Sequence, residues 1–294
     1  MTVVKVPASF DDDDAVISVN AHQHRKGGCA MKKRLLPVLL ALAIMFVFPT
    51  GSYATSFSSL IVFGDSLSDN GNIGRFTDGA IWVEILAASL GVDLYDFAYG
   101  GATTGEDNPA VGEPVFGLQW QVDNYMAPAE DALFTVWAGA NDFLQARFPD
   151  AAAYNIGMAL ENLYGDGARD ILVGNLPDIG ATPAFYSGPN EAAATGWTTL
   201  FNLNLEVVLA DFEEGHDDAT LYRLDAYGLF AGFTPGTPEW AELFWVDGFH
   251  PSSIGHQLIA DTAYCSVVPE PATLLLIGAG LIGLAALGRL KRIS

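Results

Sequence analysis

The sequence predicts an α/β fold for residues 55–268, a three-layer α/β/α sandwich with a parallel sheet of about five strands. Two patterns lead to this prediction. Short apolar runs of strand length alternate with longer segments in which apolar residues recur at helical spacing. Such alternation implies crossover connections, which pair the strands in parallel and place helices on both faces of the sheet.

The elements follow from this alternation in chain order. The predicted strands are Leu60–Phe63, Val92–Ala98, Ala132–Trp137, Ile171–Val173 and Ala219–Leu224. The segment DGAIWVEILAASLG predicts a first helix, with Asp78 as its N-cap and Gly91 as its end. Further helices are predicted over Ala151–Tyr164, Glu191–Phe212 and Ser252–Tyr264. The loops Asp107–Gln121 and Ala184–Asn190 carry no pattern that fixes their conformation.

Residues 31–54 have the organisation of a secretory signal peptide. Three basic residues precede the apolar run Leu35–Phe48, and Ser52-Tyr53-Ala54 fits a cleavage site. The alternative is a transmembrane helix, which the short run disfavours. Residues 1–30 lack apolar periodicity. We expect them to be a disordered leader upstream of a true start at Met31, because Lys26-Gly27-Gly28 can be encoded as a ribosome-binding sequence.

The C-terminal residues 269–294 form a second apolar segment with a basic end. Pro269-Glu270-Pro271 precedes the uncharged run Ala272–Gly288, and three basic residues follow it. A helix over this run would be about 26 Å long, enough to span a bilayer with its basic end in the cytoplasm. The order of these parts resembles the PEP-CTERM sorting signal. The resemblance implies export in a Gram-negative bacterium to the envelope or the medium, a helix in the inner membrane before processing, and cleavage by an exosortase-type protease. A plain tail anchor is the alternative.

The remaining domain, residues 55–268, is strongly acidic. It contains four basic residues against thirty Asp and Glu, and it has no lysine. This charge would repel nucleic acid and anionic lipid surfaces, so neither is expected as a partner. Cys265 is its single cysteine, so it can have no internal disulfide.

Polar segments that follow the predicted strands contain the parts of a serine nucleophile site. In a parallel sheet these segments meet at the C-terminal edge. They are Gly64-Asp65-Ser66-Leu67, Tyr99-Gly100-Gly101-Ala102-Thr103 and Ala138-Gly139-Ala140-Asn141-Asp142, with Asp247-Gly248-Phe249-His250-Pro251 before the last helix. A serine needs a base, and the base needs a carboxylate that orients it. Asp247 and His250 are spaced to form such a pair. The amides of Ser66, Gly101 and Asn141 could stabilise an oxyanion.

Four segments of the chain resemble, in this order, the four blocks of GDSL hydrolases of the SGNH superfamily. They are GDSLSDNGN, FAYGGATT, GAND and DGFHP. The resemblance covers about residues 58–264. It implies a flavodoxin-like sandwich, a triad of Ser66, His250 and Asp247, and an oxyanion hole formed by Ser66, Gly101 and Asn141. Because FAYGGATT has two adjacent glycines, the donor could be Gly100 instead of Gly101.

Several residues have structural interpretations instead. Ser66 could cap a helix, Asp142 is expected to be a turn former, and His256 is expected to pack or face solvent on the last helix. His216 lies in the acidic segment DFEEGHDD, which is expected to be a solvated loop. A calcium site is the alternative, but the segment lacks the spacing of a known calcium-loop motif. The six tryptophans are expected mostly in the core, with one or two lining the acyl pocket.

The sequence therefore predicts an exported esterase or lipase that needs no cofactor and no metal. The expected substrate is a lipid, a short-chain ester or an acetylated polysaccharide. The alternatives are an exopolysaccharide O-deacetylase of the same fold and a non-catalytic surface or matrix protein.

Overall fold

The computed structural model describes residues 57–127, 130–268 and 280 of the 294-residue chain. The predicted leader and the predicted signal peptide lie outside these residues. So does the apolar run Ala272–Gly288, apart from Gly280. Within the described residues, no helix has the length and apolarity needed to cross a bilayer.

Five parallel strands form the central sheet, as predicted. The strands of the described residues are β1 (Ser59–Gly64), β2 (Asp93–Asp96), β3 (Asp107–Asn108), β4 (Glu113–Phe116), β5 (Leu133–Trp137), β6 (Asp170–Gly174) and β7 (Thr220–Leu224). The strands of the central sheet pair in the order β2-β1-β5-β6-β7. Without the small β3–β4 hairpin, this is the flavodoxin-like order. The order reverses at β1, so the loop after β1 lies where α/β folds place their ligands.

Two groups of helices flank the sheet. The helices are α1 (Trp82–Leu90), α2 (Leu118–Asn124), α3 (Ala140–Leu144), α4 (Pro149–Gly165), α5 (Glu191–Gly215), α6 (Ala226–Ala231), α7 (Pro238–Ala241) and α8 (Ser253–Val267), with a 3₁₀ turn at Ile179–Ala181. Helices α1 and α8 pack together, and α4 packs against α2 and α5. Every residue of β1 and β5 is buried because helices cover both faces of these strands.

The core lies between the sheet and these helices. Phe63, Phe134 and Trp137 project from the central strands and are almost fully buried. Each such side chain contributes about 2–3 kcal/mol to folding by leaving water. The continuous apolar runs that predicted these strands are therefore a direct consequence of burial on both faces.

The main elements agree with the prediction to within a few residues, but the cap of the first helix was predicted wrongly. Ile81, not Asp78, is the N-cap of α1. The Asp78 carboxylate instead accepts a hydrogen bond of 2.7 Å from the Ser253 amide at the start of α8. Gly91 ends α1 as predicted, in the left-handed conformation (φ 72°) that favours glycine.

The segment between β2 and β5 contains elements that the sequence did not predict. Residues 107–116 form the antiparallel β3–β4 hairpin, and Leu118–Asn124 forms α2. From α2, the Gln121 side chain bonds both the amide and the carbonyl of Gly64, at 2.9 and 2.8 Å. This contact ties the unpredicted segment to the end of β1, immediately before the predicted nucleophile.

Candidate active site

Ser66 lies in the tight turn that follows β1. The turn is held by Asp65, whose backbone carbonyl accepts from the amides of Ser68 and Asp69, each at 3.0 Å. The Asp65 carboxylate accepts from the Leu67 amide at 3.0 Å. Ser66 is only 8% exposed. Its hydroxyl contacts His250 and does not cap a helix.

The imidazole of His250 lies between Ser66 and Asp247. Its Nε2 is 2.7 Å from Ser66 Oγ, and its Nδ1 is 2.6 Å from Asp247 Oδ2. A carboxylate only accepts hydrogen bonds, so Nδ1 carries the hydrogen and Nε2 is free to accept from the Ser66 hydroxyl. The three side chains that the sequence predicted as a triad are therefore in mutual contact.

The loop 245–251 fixes this geometry through its own backbone. Asp247 Oδ1 accepts from the amides of Phe249 and His250, at 2.9 and 3.0 Å. Burial alone would raise the pKa of Asp247, but hydrogen bonds from the His250 ring and from these two amides bring it below its ordinary value. Asp247 therefore stays ionised beside the imidazole. Gly248 adopts φ 69°, which a side chain would strain, and its carbonyl accepts from the Ala184 amide.

Two phenylalanines enclose the His250 ring. Phe76 stacks on it at a centroid distance of 5.0 Å, and Phe249 meets it edge-on at 5.3 Å. The ring is left with a side-chain exposure of 15%. This packing restricts rotation of the imidazole away from Ser66.

The two adjacent glycines differ in what their amides bind. The Gly100 amide donates to Asp69 Oδ2 at 2.7 Å. The Gly101 amide makes no hydrogen bond to any described residue. Gly101 has φ 87°, and a Cβ there would lie 2.4 Å from Ala110 Cβ, so only glycine fits. Of the two glycines, Gly101 is therefore the one with a free donor at the cleft.

Asn141 lies in α3 and is almost fully buried. Its Nδ2 donates to the Ala102 carbonyl at 3.0 Å and contacts Asp65 Oδ2 at 3.3 Å. The second contact is long, and a developing anion could replace it. Asn141 lines the same cleft as Ser66, Gly101 and His250.

Two further carboxyls are buried beside this site. Burial raises the pKa of Asp65 to about 7 and raises that of Asp142 as well. Asp142 was expected to be a simple turn former, but this expectation was wrong. It is fully buried and accepts from the amide and the hydroxyl of Thr104, at 2.9 and 2.8 Å. These bonds tie α3 to the loop that contains Gly101.

The cleft above Ser66 has a volume of about 260 Å³. Its apolar lining comes from several loops and from the end of α3, and it consists of Ile73, Phe76, Ala110, Val111, Leu144 and Phe249. The hairpin tip thus forms part of the wall. No tryptophan is among the lining residues, so the expectation that one or two would line the pocket was wrong. Trp82 and Trp137 pack against each other in the core.

The other histidines of the described domain have structural contacts. His256, in α8, is buried as a packing residue, and its Nδ1 accepts from the Trp82 amide at 3.3 Å. His216 ends α5, stacks on Tyr164 and lies 2.9 Å from Glu161. Within the described residues, no group of acidic, histidine or cysteine side chains is arranged to hold a metal ion.

Sequence analysis missed several residues that build the site. They are Asp69, which binds Gly100; Phe76, which stacks on His250; Asn108, which binds the Gly100 carbonyl; and Gln121, which bonds Gly64. Of these only Asp69 lies within a motif segment, GDSLSDNGN. The others lie in a loop, in β3 and in α2, which the apolar periodicity of the sequence does not predict.

A family model now connects this geometry to known proteins. The model of the GDSL-like lipase/acylhydrolase family matches residues 60–263, well over half of the chain. The protein belongs to this family. The predicted resemblance is thus confirmed, and the prediction of a hydrolase acting on ester bonds is supported at the level of the family.

Two curated relatives of this GDSL protein show its sequence similarity. The phosphatidylcholine-sterol acyltransferase of Aeromonas hydrophila is 30% identical over 60% of this chain and 62% of its own length. Esterase EstA of Pseudomonas aeruginosa is 25% identical over 84% of this chain and 52% of its own length. The chain therefore spans about half to three-fifths of these relatives.

A solved structure supports the fold assignment. The chain resembles a member of the lipolytic G-D-S-L family from Veillonella parvula, with a TM-score of 0.50 and 19% identity over 70% of this chain and 95% of that one.

A second family model, that of the PEP-CTERM protein-sorting motif, matches residues 267–292. This motif indicates export, as predicted from the same segment.

Proposed function

We propose that this protein is an exported serine esterase that hydrolyses carboxylic esters through Ser66, His250 and Asp247. The observation that carries the proposal is the pair of contacts made by the His250 ring, 2.7 Å to the Ser66 hydroxyl and 2.6 Å to the Asp247 carboxylate. Nucleophile, base and orienting carboxylate are within hydrogen-bonding distance without any rearrangement.

The reaction proceeds through an acyl-enzyme. His250 Nε2 removes the Ser66 proton as Oγ attacks the ester carbonyl, and the resulting oxyanion binds the amides of Ser66 and Gly101 and the Asn141 side chain. Asp247 stabilises the imidazolium. The imidazolium then gives its proton to the departing alcohol. Water, deprotonated by His250, attacks the acyl-enzyme by the same route, which releases the acid and restores Ser66.

The cleft favours an ester with an apolar acyl or alcohol part. Its volume is about 260 Å³, and its walls are aliphatic and aromatic. An acetyl group would leave most of this apolar surface uncovered. Lipid or medium-chain esters therefore fit the cleft better than acetylated polysaccharide.

Removal of the nucleophile tests the proposed function. Ser66→Ala should abolish hydrolysis of p-nitrophenyl esters because, in the part of the chain that the structure describes, no other hydroxyl contacts His250 Nε2. A fluorophosphonate probe should label the wild type and leave the variant unlabelled. Circular dichroism serves as the folding control. Equal turnover by a folded Ser66→Ala variant would overturn the assignment of Ser66 as the nucleophile. An unlabelled wild type with no esterase activity would favour the non-catalytic surface protein.

The proposed route of export combines both ends of the chain. The signal peptide 31–54 would direct secretion, and the segment Ala272–Gly288 would hold the protein in the inner membrane until an exosortase-type protease cleaves near Pro269-Glu270-Pro271. The sorting-motif match supports this route. Mass spectrometry of the exported protein should find no peptide from residues 272–294 in a host with exosortase and should find it in a host without. Retention of that segment in both hosts would argue for a plain tail anchor.

A further inference from the structure

Asn108, at the end of β3, is a buried polar residue whose side-chain amide makes only one of the four hydrogen bonds open to it. Its side chain is fully buried, and its Nδ2 donates to the Gly100 carbonyl at 2.8 Å. Its Oδ1 is equally buried and has no hydrogen-bond partner. An unpaired buried oxygen is destabilising, so an apolar residue of the same size would serve a purely structural role better.

The Gly100 carbonyl belongs to the same peptide unit as the Gly101 amide. In a trans peptide these two groups point in opposite directions. The hydrogen bond from Asn108 therefore sets the direction of the Gly101 N–H, which points away from Asn108. Gly101 lines the cleft with Ser66 and Asn141, and its amide has no partner among the described residues.

A peptide between two glycines would otherwise turn over easily. Neither residue has a Cβ, and Gly101 already occupies the left-handed region, with φ 87°. The flipped peptide would place the Gly100 carbonyl, and not an N–H, at the cleft. A carbonyl oxygen there would repel a developing oxyanion.

We propose that Asn108 is a positioning residue that holds the Gly100–Gly101 peptide in the orientation that directs the Gly101 N–H toward the oxyanion. The inference rests on the proposed esterase function. Asn108 does not line the cleft and touches no substrate. Its single side-chain hydrogen bond orients the peptide that contains the Gly101 N–H. The unpaired oxygen is tolerated because the side-chain nitrogen must lie where it can donate to the Gly100 carbonyl.

Asn108→Asp is the sharpest test because it changes the hydrogen-bonding character and hardly the shape. An ionised carboxylate cannot donate to the Gly100 carbonyl, and it would accept from the Gly101 amide in a flipped peptide, so the variant is assayed at mildly alkaline pH, where a buried carboxyl is ionised. With the full-length protein and p-nitrophenyl butyrate, kcat should fall by about a hundredfold, the loss expected for one oxyanion donor. KM should change by less than about threefold, because the oxyanion exists only after attack.

Asn202→Asp provides a matched control. The Asn202 side chain, on α5, also donates to a loop carbonyl, that of Leu176 at 2.8 Å, and accepts from the amide of the same residue. This variant should keep the wild-type kcat even if its unfolding midpoint falls. A boronic acid that mimics the oxyanion should bind the Asn108 variant at least about tenfold more weakly, while the Asn202 variant should bind it normally.

Asn108→Leu supplies a second measurement if the aspartate variant does not fold. It keeps the volume, removes the donor and adds no charge, so it should show the same loss in kcat. A folded leucine variant with wild-type kcat would overturn the proposal, as would a loss confined to thermal stability or to KM. A wild type as inactive as Ser66→Ala would instead remove the proposed function, so the two failures are distinguishable.

Discussion

At the scale of single residues, the site depends on which donors and acceptors are already occupied. Asp69 uses the Gly100 amide and Asn108 uses the Gly100 carbonyl, so the Gly101 amide is the group left free. The sequence motif FAYGGATT left the choice between the two glycines open. Hydrogen bonding to residues outside the motif favours Gly101.

The proposed oxyanion role of Asn141 gives a residue-scale prediction. Asn141→Ala should lower kcat by a factor equivalent to roughly 2–4 kcal/mol of transition-state stabilisation, because one side-chain donor is lost. Steady-state kinetics on p-nitrophenyl butyrate measures the change. The proposed role requires that KM stay nearly constant. A loss in kcat of less than about threefold would exclude Asn141 from the oxyanion hole.

His256 gives a second residue-scale prediction, on stability. Burial lowers its pKa to about 4, and the nearby His250 adds to the effect. The same imidazole titrates near pH 6.5 in an unfolded chain. As the pH falls from about 6.5 to about 4, the unfolded state therefore takes up a proton that the folded state does not, and His256 lowers the free energy of unfolding by roughly 3 kcal/mol.

Urea unfolding at several pH values tests this sign. The wild type should lose more stability on acidification than His256→Asn, in which the amide oxygen can still accept from the Trp82 amide. The comparison removes the contribution of other titrating groups, since both proteins share them. Equal slopes of stability against pH in the two proteins would contradict the assignment.

At the scale of elements, the β3–β4 hairpin shapes the cleft. Ala110 and Val111, in its turn, line the same cleft as His250. The hairpin is held to the rest of the site by the ion pair of Arg147 with Asp107, at 2.6 Å. We therefore expect acyl-chain preference to depend on an element that is not part of the sheet.

Val111→Phe should shift the chain-length preference toward short acyl groups. The larger side chain would fill part of the 260 Å³ cleft and would leave Ser66 and His250 in place. The ratio of kcat/KM for p-nitrophenyl octanoate over acetate should fall by about tenfold, which corresponds to two or so methylene groups displaced from apolar contact. Val207→Phe, on the exposed face of α5, is the control, since Val207 is 60% exposed. An unchanged ratio in Val111→Phe would mean that the chain does not lie along the hairpin.

At the scale of the whole molecule, the acidic charge opposes folding. Thirty acidic residues against four basic ones in residues 55–268 repel one another in the compact state. The ion pairs that partly offset this repulsion are few, and one of them is Arg223 with Glu206 and Glu213 on α5.

Salt should therefore stabilise this protein. Added NaCl shortens the screening length to about 8 Å at physiological ionic strength, so repulsion between distant carboxylates weakens. The thermal unfolding midpoint should rise between about 0.01 M and about 0.15 M salt. Replacement of the exposed Glu214 by lysine should reduce this dependence. A midpoint that falls with salt would show that the ion pairs outweigh the repulsion.

Much of the fold was predictable because its signals are local. The strands around β1 and β5 are buried on both faces, and this burial appears in the sequence as continuous apolar runs. Gly91 ends a helix as predicted, because this role requires only that the residue adopt the left-handed conformation, which glycine does without a distant partner. Asp78 failed as a cap because its partner, Ser253, lies 175 residues away in the chain.

The sequence by itself determined the α/β alternation, the edge of the sheet where the polar segments collect, and the identity of the residues that meet there. These follow from periodicity and from motifs whose parts are contiguous. Only the tertiary structure decided that the Gly101 amide is free, that Asp142 is buried, and that the hairpin lines the cleft. Each of these depends on contacts between loops that are distant in sequence, and such contacts are set by packing and hydrogen-bond geometry that no local pattern encodes.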